Sequence, residues 1–266
     1  MFLIESSNDL QPAHTELIVE KIVRPSAQTE LSRGRLLAIL ESSLISCTSS
    51  IISGRAGTGK TFLASDFAEN CDRSVAWYKV DAPDGEIQIF FQYLVASIRR
   101  QRPYFGTATF AQLSKTSSPE DIAVLAETLA YELAEGEDKP LLVVVEDLHL
   151  IYDFEWVIPF FRRLLPLLPP EVHILITTRT MPAAPFWRMR SKQTLTVIDE
   201  ETLAFTWQEA LELFESKSLS SEQASIALDH TRGRAAALAR FANELTGASE
   251  EWLADQVPLN EGLWTA

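Results

Sequence analysis

Cysteine, positive charge and long apolar runs are all scarce in this sequence. Cys47 and Cys71 are the only cysteines; they have no metal-ligand spacing and allow one disulfide at most, so we expect two reduced, buried thiols. Lys and Arg total 23 against 37 Asp and Glu, and the formal net charge of -14 argues against direct binding of nucleic acid. Runs such as 141–145 are far too short to cross a bilayer. We therefore expect a cytoplasmic protein without membrane contact.

One stretch carries the pattern of a phosphate-binding loop. An apolar strand at 49–53 runs into GRAGTGKT and then into a helix-forming segment, which is the context that a P-loop requires. Glycines in such a loop let backbone N–H groups turn toward an anion. Lys60 is expected to reach the β and γ phosphates, and Thr61 to give its hydroxyl to Mg²⁺. The residues predicted to bind ATP or ADP here are Gly54, Arg55, Ala56, Gly57, Thr58, Gly59, Lys60, Thr61 and Phe62.

Strand patterns alternate with helix patterns along most of the chain. This alternation predicts an α/β fold, a P-loop NTPase with a mostly parallel, doubly wound sheet. The segment 103–118 is interpreted as a surface excursion, and Trp77, Phe90 and Phe91 as core residues. After the first strand, the further strands are predicted at 75–80, 141–145, 172–179 and 194–198.

The last part of the chain changes to helices only. Three consecutive helix patterns follow Asp199, and the stretch 199–223 contains seven acids and one base. A solvated helix face explains this charge better than a site for a basic partner does. We predict an N-terminal tether at 1–30, a P-loop nucleotide-binding domain at 31–199, a small all-helical subdomain at 200–257 and a tail at 258–266.

Two acids and one arginine are the candidate catalytic residues. Glu146 and Asp147 follow a buried strand directly, where a P-loop protein places the acids that hold Mg²⁺ and orient the attacking water. The alternative is an acidic turn that caps the next helix. His149 is either a second-layer residue of this site or a satisfied structural histidine. Arg179 ends the next strand at the same sheet edge, where it would contact the γ-phosphate, unless it is a surface arginine.

The order of several segments resembles a known family. LSRGRLL, GRAGTGKT, LLVVVEDLHLI, VHILITTR, LAFTWQEALELF and TRGRAAALARFA look like the NB-ARC/AAA-like nucleotide-binding module of LuxR-type large ATP-binding regulators, which belong to the STAND class of switch NTPases. The resemblance covers about 15–245. It implies an ADP-bound resting state, ATP-dependent self-association, a position for Arg33 near the nucleotide and a phosphate-sensing role for Arg179.

The sequence departs from this family at three places. Glu146 replaces the first of two aspartates, and one added methylene alters metal geometry, so we expect slow hydrolysis at most. Arg234 stands where the family usually has tryptophan. Family members continue into a winged-helix subdomain, helical sensor repeats and a DNA-binding helix-turn-helix, none of which we expect before Ala266.

Three functional hypotheses follow. The first is an ATP/ADP switch module, a weak ATPase that acts through self-association or a regulatory protein partner. The second is a steady-turnover P-loop ATPase or kinase, for which the chain shows no acceptor site or kinase lid. The third is a nucleotide-stabilised scaffold whose acidic helical subdomain binds a partner. Direct DNA binding by this chain is not expected.

Overall fold

The computed structural model describes residues 17–26, 31–135, 139–180 and 195–247. Strands and helices alternate as predicted up to residue 199, and helices follow. The strands are β1 (Ser49–Ser53), β2 (Ser74–Lys79), β3 (Leu141–Glu146), β4 (Val172–Thr178) and β5 (Thr196–Ile198). The helices are α1 (Gly34–Ser46), α2 (Lys60–Asn70), α3 (Ile87–Arg99), α4 (Thr107–Leu113), α5 (Pro119–Ala134), α6 (Val157–Leu164), α7 (Glu200–Leu203), α8 (Trp207–Ser216), α9 (Ser221–Thr231) and α10 (Ala235–Gly247).

The five strands form one parallel sheet in the order β2-β3-β4-β1-β5. Every residue of β1, β3 and β4 is buried, which explains why these strands read as continuous apolar or small-residue runs. Parallel strands end at the same edge: Ser53 lies opposite Thr178, and Lys79 opposite Glu146. The predicted α/β fold class is confirmed, and this edge gathers the candidate catalytic residues.

Helices cover both faces of the sheet. On one face, α1 and α2 pack Leu36, Leu40 and Phe67 against the strands, and Trp77 lies among them. On the other face, α3, α5 and α6 supply a larger cluster, to which α3 contributes Phe90, Phe91, Leu94 and Ile98 at helix-face spacing. Burial of such a side chain contributes about 1.5–3 kcal/mol. The three residues predicted as core, Trp77, Phe90 and Phe91, are buried as expected.

The three predicted C-terminal helices are confirmed as α8, α9 and α10, with a core of their own. Phe214, Leu238 and Phe241 lie at its centre. Two of these helices begin with reciprocal caps. At the start of α8, the Thr206 N–H donates to Glu209 Oε2 at 2.9 Å and the Glu209 N–H to Thr206 Oγ1 at 3.3 Å. We call residues 200–247 the helical subdomain.

Two segments differ from the sequence prediction. The stretch 17–26, predicted as part of a tether, packs on the domain: Lys21 is 6% exposed, and its Nζ donates to Asp84 Oδ1 at 2.6 Å. The predicted surface excursion contains helix α4, with Phe105 and Leu113 buried. In both cases a few apolar or paired residues outweigh a polar, proline-containing composition.

Some predictions lie partly outside the described residues. Residues 1–16, 248–257 and the tail 258–266 belong to this group, so the four predicted domain ranges stay predictions. Cys47 and Cys71 are half-buried, whereas the sequence predicted buried thiols. None of the helices in the described ranges is long and apolar enough to span a bilayer.

Candidate functional site

The loop between β1 and α2 has a backbone that only glycine adopts easily. Gly57 and Gly59 have φ angles of 79° and 90°. Helix α10 also lies against them: a Cβ on Gly57 would be 3.1 Å from the Ala236 Cβ, and one on Gly59 would be 3.2 Å from the Ala235 Cβ. Helix α2 begins at Lys60, so the positive end of its dipole faces the loop. The loop thus has the form of an anion-binding turn.

Lys60 lies inside this loop. Its Nζ donates to the Gly54 carbonyl at 2.6 Å and to the Arg55 carbonyl at 3.0 Å, and the residue is 7% exposed. Burial lowers the pKa of Lys60, and the charge of Arg179 adds to this effect while that of Asp147 opposes it. Two contacts place the ends of β3 and β4 against the loop: Thr61 donates to Glu146, and the Gly54 N–H donates to the Thr178 carbonyl at 3.1 Å.

Glu146 connects the P-loop to the end of β3. It is 3% exposed, its Oε1 accepts a hydrogen bond from Thr61 Oγ1 at 2.5 Å, and its Oε2 accepts one from Trp77 Nε1 at 3.2 Å. Burial raises the pKa of Glu146, although the hydrogen bond from Thr61 acts in the opposite direction. Sequence reasoning placed Trp77 in the core, which is correct, but missed its contact with this carboxylate.

The donor set beside the P-loop fits Mg²⁺. A threonine hydroxyl and one or two carboxylates are hard oxygen ligands, and Mg²⁺ in proteins is usually held by such a small set together with substrate phosphates and water. Thr61 and Glu146 are in contact, and Asp147 follows directly. Within the described ranges, no group of three or more His, Cys, Asp or Glu side chains could hold a metal ion. The residues therefore suit a metal that a nucleotide helps to hold.

Asp147 and His149 form the outer part of the site. Asp147 has a φ of 57°, which aspartate tolerates better than most residues, and its N–H donates to Thr177 Oγ1 at 3.0 Å. His149 Nδ1 lies 3.8 Å from Asp147 Oδ1. Both ring nitrogens of His149 are buried without a hydrogen-bond partner in the described residues, and burial lowers its pKa. His149 is therefore not the satisfied structural histidine that the sequence also allowed.

Arg179 follows β4 directly and is exposed. It comes directly after Thr178, the last residue of β4, whose carbonyl accepts a hydrogen bond from the Gly54 N–H at 3.1 Å. The structure thus brings Arg179 to the expected edge of the sheet. Its role as a phosphate sensor stays a prediction.

Arg33 lies next to the loop but is engaged by the helical subdomain. It is 8% exposed, and its Nη1 and Nη2 groups donate to the Leu203 and Ala204 carbonyls at 2.7 and 3.0 Å. Nη2 also donates to Glu209 Oε2 at 2.9 Å, and the guanidinium lies 4.1 Å from the centre of the Phe205 ring. Burial raises the pKa of Glu209, but the hydrogen bonds from Arg33 and the backbone outweigh it and lower this pKa to about 2.

A largely apolar cavity of about 360 Å³ opens beside the P-loop. Its walls come from the loop, the start of α2 and the helical subdomain, and Arg33 forms part of one wall. Phe62 lines it with a side chain that is 55% exposed, opposite residues such as Phe205 and Ala239. A flat, apolar ring system adjoining a phosphate site would fit this space.

The helical subdomain also contacts the backbone of the P-loop. Arg234 donates to the Ala56 carbonyl, from Nη2 at 2.6 Å and from Nε at 3.2 Å. The Ala236 N–H donates to the Gly57 carbonyl at 2.9 Å. The start of α10 thus holds the outer rim of the loop. Arg234 was noted in the sequence only as a departure from the family pattern.

A second link joins the P-loop to α7. The Arg55 N–H donates to Glu200 Oε2 at 3.0 Å, and Arg55 Nε donates to Glu200 Oε1 at 2.8 Å. The Arg55 side chain is 76% exposed, so water screens this ion pair. Sequence reasoning missed Glu200 and Glu209, because nothing in the local pattern shows which acid of this acidic stretch meets an arginine far away in the chain.

Comparisons with known proteins find relatives among bacterial transcription regulators. The chain is 30% identical over 241 residues to the HTH-type transcriptional regulator MalT of Cronobacter sakazakii, which covers 87% of the chain and 26% of that regulator. It is 29% identical over 226 residues to MalT of Serratia proteamaculans, covering 84% of the chain and 24% of that regulator. The chain is homologous to part of the MalT regulators.

This homology confirms the predicted resemblance. The chain spans about a quarter of the length of the MalT relatives that it matches. No protein-family model matches the chain. Among solved structures, the Walker-type ATPase of Pyrococcus abyssi is similar with a TM-score of 0.49 and 14% identity, over 82% of this chain and 68% of that one. A RuvB variant of Thermotoga maritima has a TM-score of 0.41 and 12% identity, over 79% and 59%.

Proposed function

We propose that the chain is an ATP/ADP-binding switch module of the STAND type, in which slow ATP hydrolysis is coupled to conformational change or self-association in transcriptional regulation. In this proposal, the P-loop binds the phosphates and Lys60 exchanges its loop carbonyl partners for phosphate oxygens. The cavity beside Phe62 receives the nucleoside. Homology to MalT, a transcription regulator by name, supports the regulatory setting and a cytoplasmic location.

One observation carries the switch part of the proposal. The start of α10 and the residue before it donate hydrogen bonds to P-loop carbonyls, from Ala236 to Gly57 and from Arg234 to Ala56. These carbonyls belong to the peptide units that shape the anion-binding turn. A nucleotide that changes the turn therefore changes the contacts of the helical subdomain, which is the differential interaction that a switch requires.

The residues at the ends of β3 and β4 account for slow hydrolysis in this proposal. Thr61 and Glu146 would hold Mg²⁺, which when bound neutralises charge on the phosphates. Asp147 orients the attacking water, and His149 lies beside its carboxylate, with Nδ1 3.8 Å from Oδ1. Arg179 binds the γ-phosphate. Glu146 has one methylene more than the aspartate usual at this position, which alters the metal geometry and slows hydrolysis.

The bound nucleotide and the mass of the particle test the proposal together. Protein purified under native conditions should release ADP on denaturation. Addition of a non-hydrolysable ATP analogue with Mg²⁺ should then change the mass of the particle, measured by light scattering, while ADP should not. A chain that co-purifies empty and binds neither nucleotide contradicts the proposal. Turnover above about 1 per second would favour the steady-turnover enzyme instead.

A further inference from the structure

The two oxygens of the Glu146 carboxylate accept hydrogen bonds from two different types of donor. Thr61, on the P-loop side, donates its hydroxyl to Oε1 at 2.5 Å. Trp77, on the core side, donates its indole N–H to Oε2 at 3.2 Å. The two donors come from α2 and β2 and bind different oxygens of the carboxylate. Each oxygen therefore has its own assigned partner.

Trp77 is well placed to keep the carboxylate in one orientation. It belongs to β2, the strand paired with β3, and is 2% exposed within the cluster that α1 and α2 cover. Its indole is rigid, donates one hydrogen bond and accepts none. A buried carboxylate needs a donor at each oxygen, because burial without one costs about 1–3 kcal/mol. A rotation of the Glu146 carboxylate would break the bond to Trp77 and leave Oε2 unsatisfied.

The partly buried indole of Trp156 shows that an indole packed on this core does not need a carboxylate as its acceptor. Trp156 packs on the other face of the sheet, and its Nε1 donates to the Gly85 carbonyl at 2.7 Å. A backbone carbonyl is thus enough to satisfy an indole in this protein. At Trp77 the partner is instead an ionisable side chain at the edge of the candidate metal site.

We propose that Trp77 is a positioning residue that fixes Glu146 so that only Oε1 faces Thr61 and the Mg²⁺ site. The inference depends on the proposed function, since it assigns a role in that same site. Mg²⁺ binds a small set of single oxygens at short distance, whereas Ca²⁺ accepts both oxygens of one carboxylate. With Oε2 occupied by the indole, Glu146 favours Mg²⁺ over Ca²⁺.

Trp77→Phe removes the N–H and keeps an aromatic ring, and Trp156→Phe is the matched control. The affinity for ADP is measured by titration in Mg²⁺, in Ca²⁺ and in EDTA. For Trp77→Phe we expect the affinity for ADP in EDTA to stay within about twofold of the wild-type value. The increase in this affinity on addition of Mg²⁺ should fall about tenfold, and the ratio of the affinities in Mg²⁺ and Ca²⁺ should decrease. Trp156→Phe should keep the wild-type ratios.

A double-mutant cycle shows whether Trp77 acts through Glu146. In a Glu146→Gln background, Trp77→Phe should cause no further loss of the gain from Mg²⁺. An unchanged ratio of affinities in Mg²⁺ and EDTA for Trp77→Phe overturns the inference and leaves the proposed function standing. A wild-type chain that binds no nucleotide in any condition overturns both.

A measurement on the nucleotide-free protein covers the case in which Trp77→Phe does not fold. The chain has six Trp, hence six indole N–H resonances in a spectrum of the ¹⁵N-labelled protein. Glu146→Gln should shift one of them, because its indole loses an ionised acceptor. The shifted resonance should persist in single Phe variants of the other five tryptophans. Six unmoved resonances contradict the inference.

Discussion

The two sides of the P-loop are built from different kinds of contact. On the sheet side, Glu146 and Trp77 are 3% and 2% exposed and are joined by a hydrogen bond, and the partly buried Thr61 donates to the same carboxylate. On the subdomain side, the direct contacts of the loop are partly exposed: Arg55 of the loop pairs with Glu200, and Arg234 donates to the Ala56 carbonyl. The buried Arg33–Glu209 pair is a separate link to the subdomain. Buried contacts are costly to break, whereas screened surface pairs contribute about 1 kcal/mol or less. The sheet side is therefore suited to keep the geometry of the metal site fixed, and the subdomain side to change its contacts with the loop.

The largest expected effect comes from pH and concerns the sheet side. His173 in β4 is 1% exposed, its Nε2 lies 2.9 Å from Ser50 Oγ, and burial lowers its pKa to about 4. In the unfolded chain His173 binds a proton near pH 6.5, whereas in the folded chain it binds one only near pH 4. The free energy of unfolding is therefore not reduced by His173 above pH 6.5, and it decreases by about 3 kcal/mol as the pH falls to 4.

Urea unfolding at a series of pH values measures this decrease. His173→Gln should flatten the curve between pH 6.5 and 4, because the titrating group is gone. His230→Gln, at an exposed position of α9, is the control and should leave the slope unchanged. If the stability of His173→Gln depends on pH as strongly as that of the wild type, the buried His173 does not cause the decrease.

The next effect tests the centre of the comparison, where both sides meet. Lys60→Ala removes the buried ammonium that lies inside the loop. We expect the affinity for ADP to fall about 100-fold, as for the loss of a charge-assisted contact worth about 2.7 kcal/mol. Equilibrium binding of a fluorescent ADP measures it. Lys115→Ala, at an exposed position, should bind as the wild type does, and equal affinity in both variants would contradict the site.

Glu209→Gln breaks the strongest link on the subdomain side. Arg33 would then be buried without its ionised partner, since the side chains of both residues are only 9% exposed. We expect about 2 kcal/mol less stability by urea unfolding at pH 7. Glu212→Gln, on the exposed face of α8, should change stability by less than about 0.5 kcal/mol. Equal stabilities of the two variants would show that the Arg33 pair does not hold the subdomain.

The smallest effect concerns the contact between α10 and the loop. Arg234→Gln removes the two donors to the Ala56 carbonyl but leaves the sheet side untouched. We expect ADP to dissociate about fivefold faster, because one ordinary hydrogen bond contributes about 1 kcal/mol. Stopped-flow displacement of a fluorescent ADP measures the rate. Arg232→Gln, in the adjacent turn, is the control; an unchanged rate in Arg234→Gln would remove this contact from the switch.

Sequence reasoning succeeded on the sheet side for a physical reason. The P-loop, the acids after β3 and the arginine after β4 each follow a strand, and parallel strands deliver their carboxyl ends to one edge. Local patterns therefore predicted that these residues lie at one edge of the sheet, and their roles in binding and catalysis stay predictions. The same reasoning predicted the fold class and the three last helices, which propensity and apolar spacing determine.

The subdomain side was missed because its partners are far apart in the chain. Arg33 and Glu209 are separated by 176 residues, and Arg234 and Ala56 by 178. No local pattern selects Glu209 among the acids after residue 199, and none indicates that Lys21 would find a buried partner in Asp84. Such contacts depend on how whole elements pack, which a single sequence does not show.

Hydrogen exchange, compared between the ADP state and the state with a non-hydrolysable ATP analogue, tests the central claim most directly. The account predicts different exchange at the P-loop, at α7 and at the start of α10, because the contacts of Arg55 and Arg234 change with the nucleotide. It predicts equal exchange in β3 and β4, which are buried throughout. Equal exchange everywhere, or a change confined to the sheet, would contradict it.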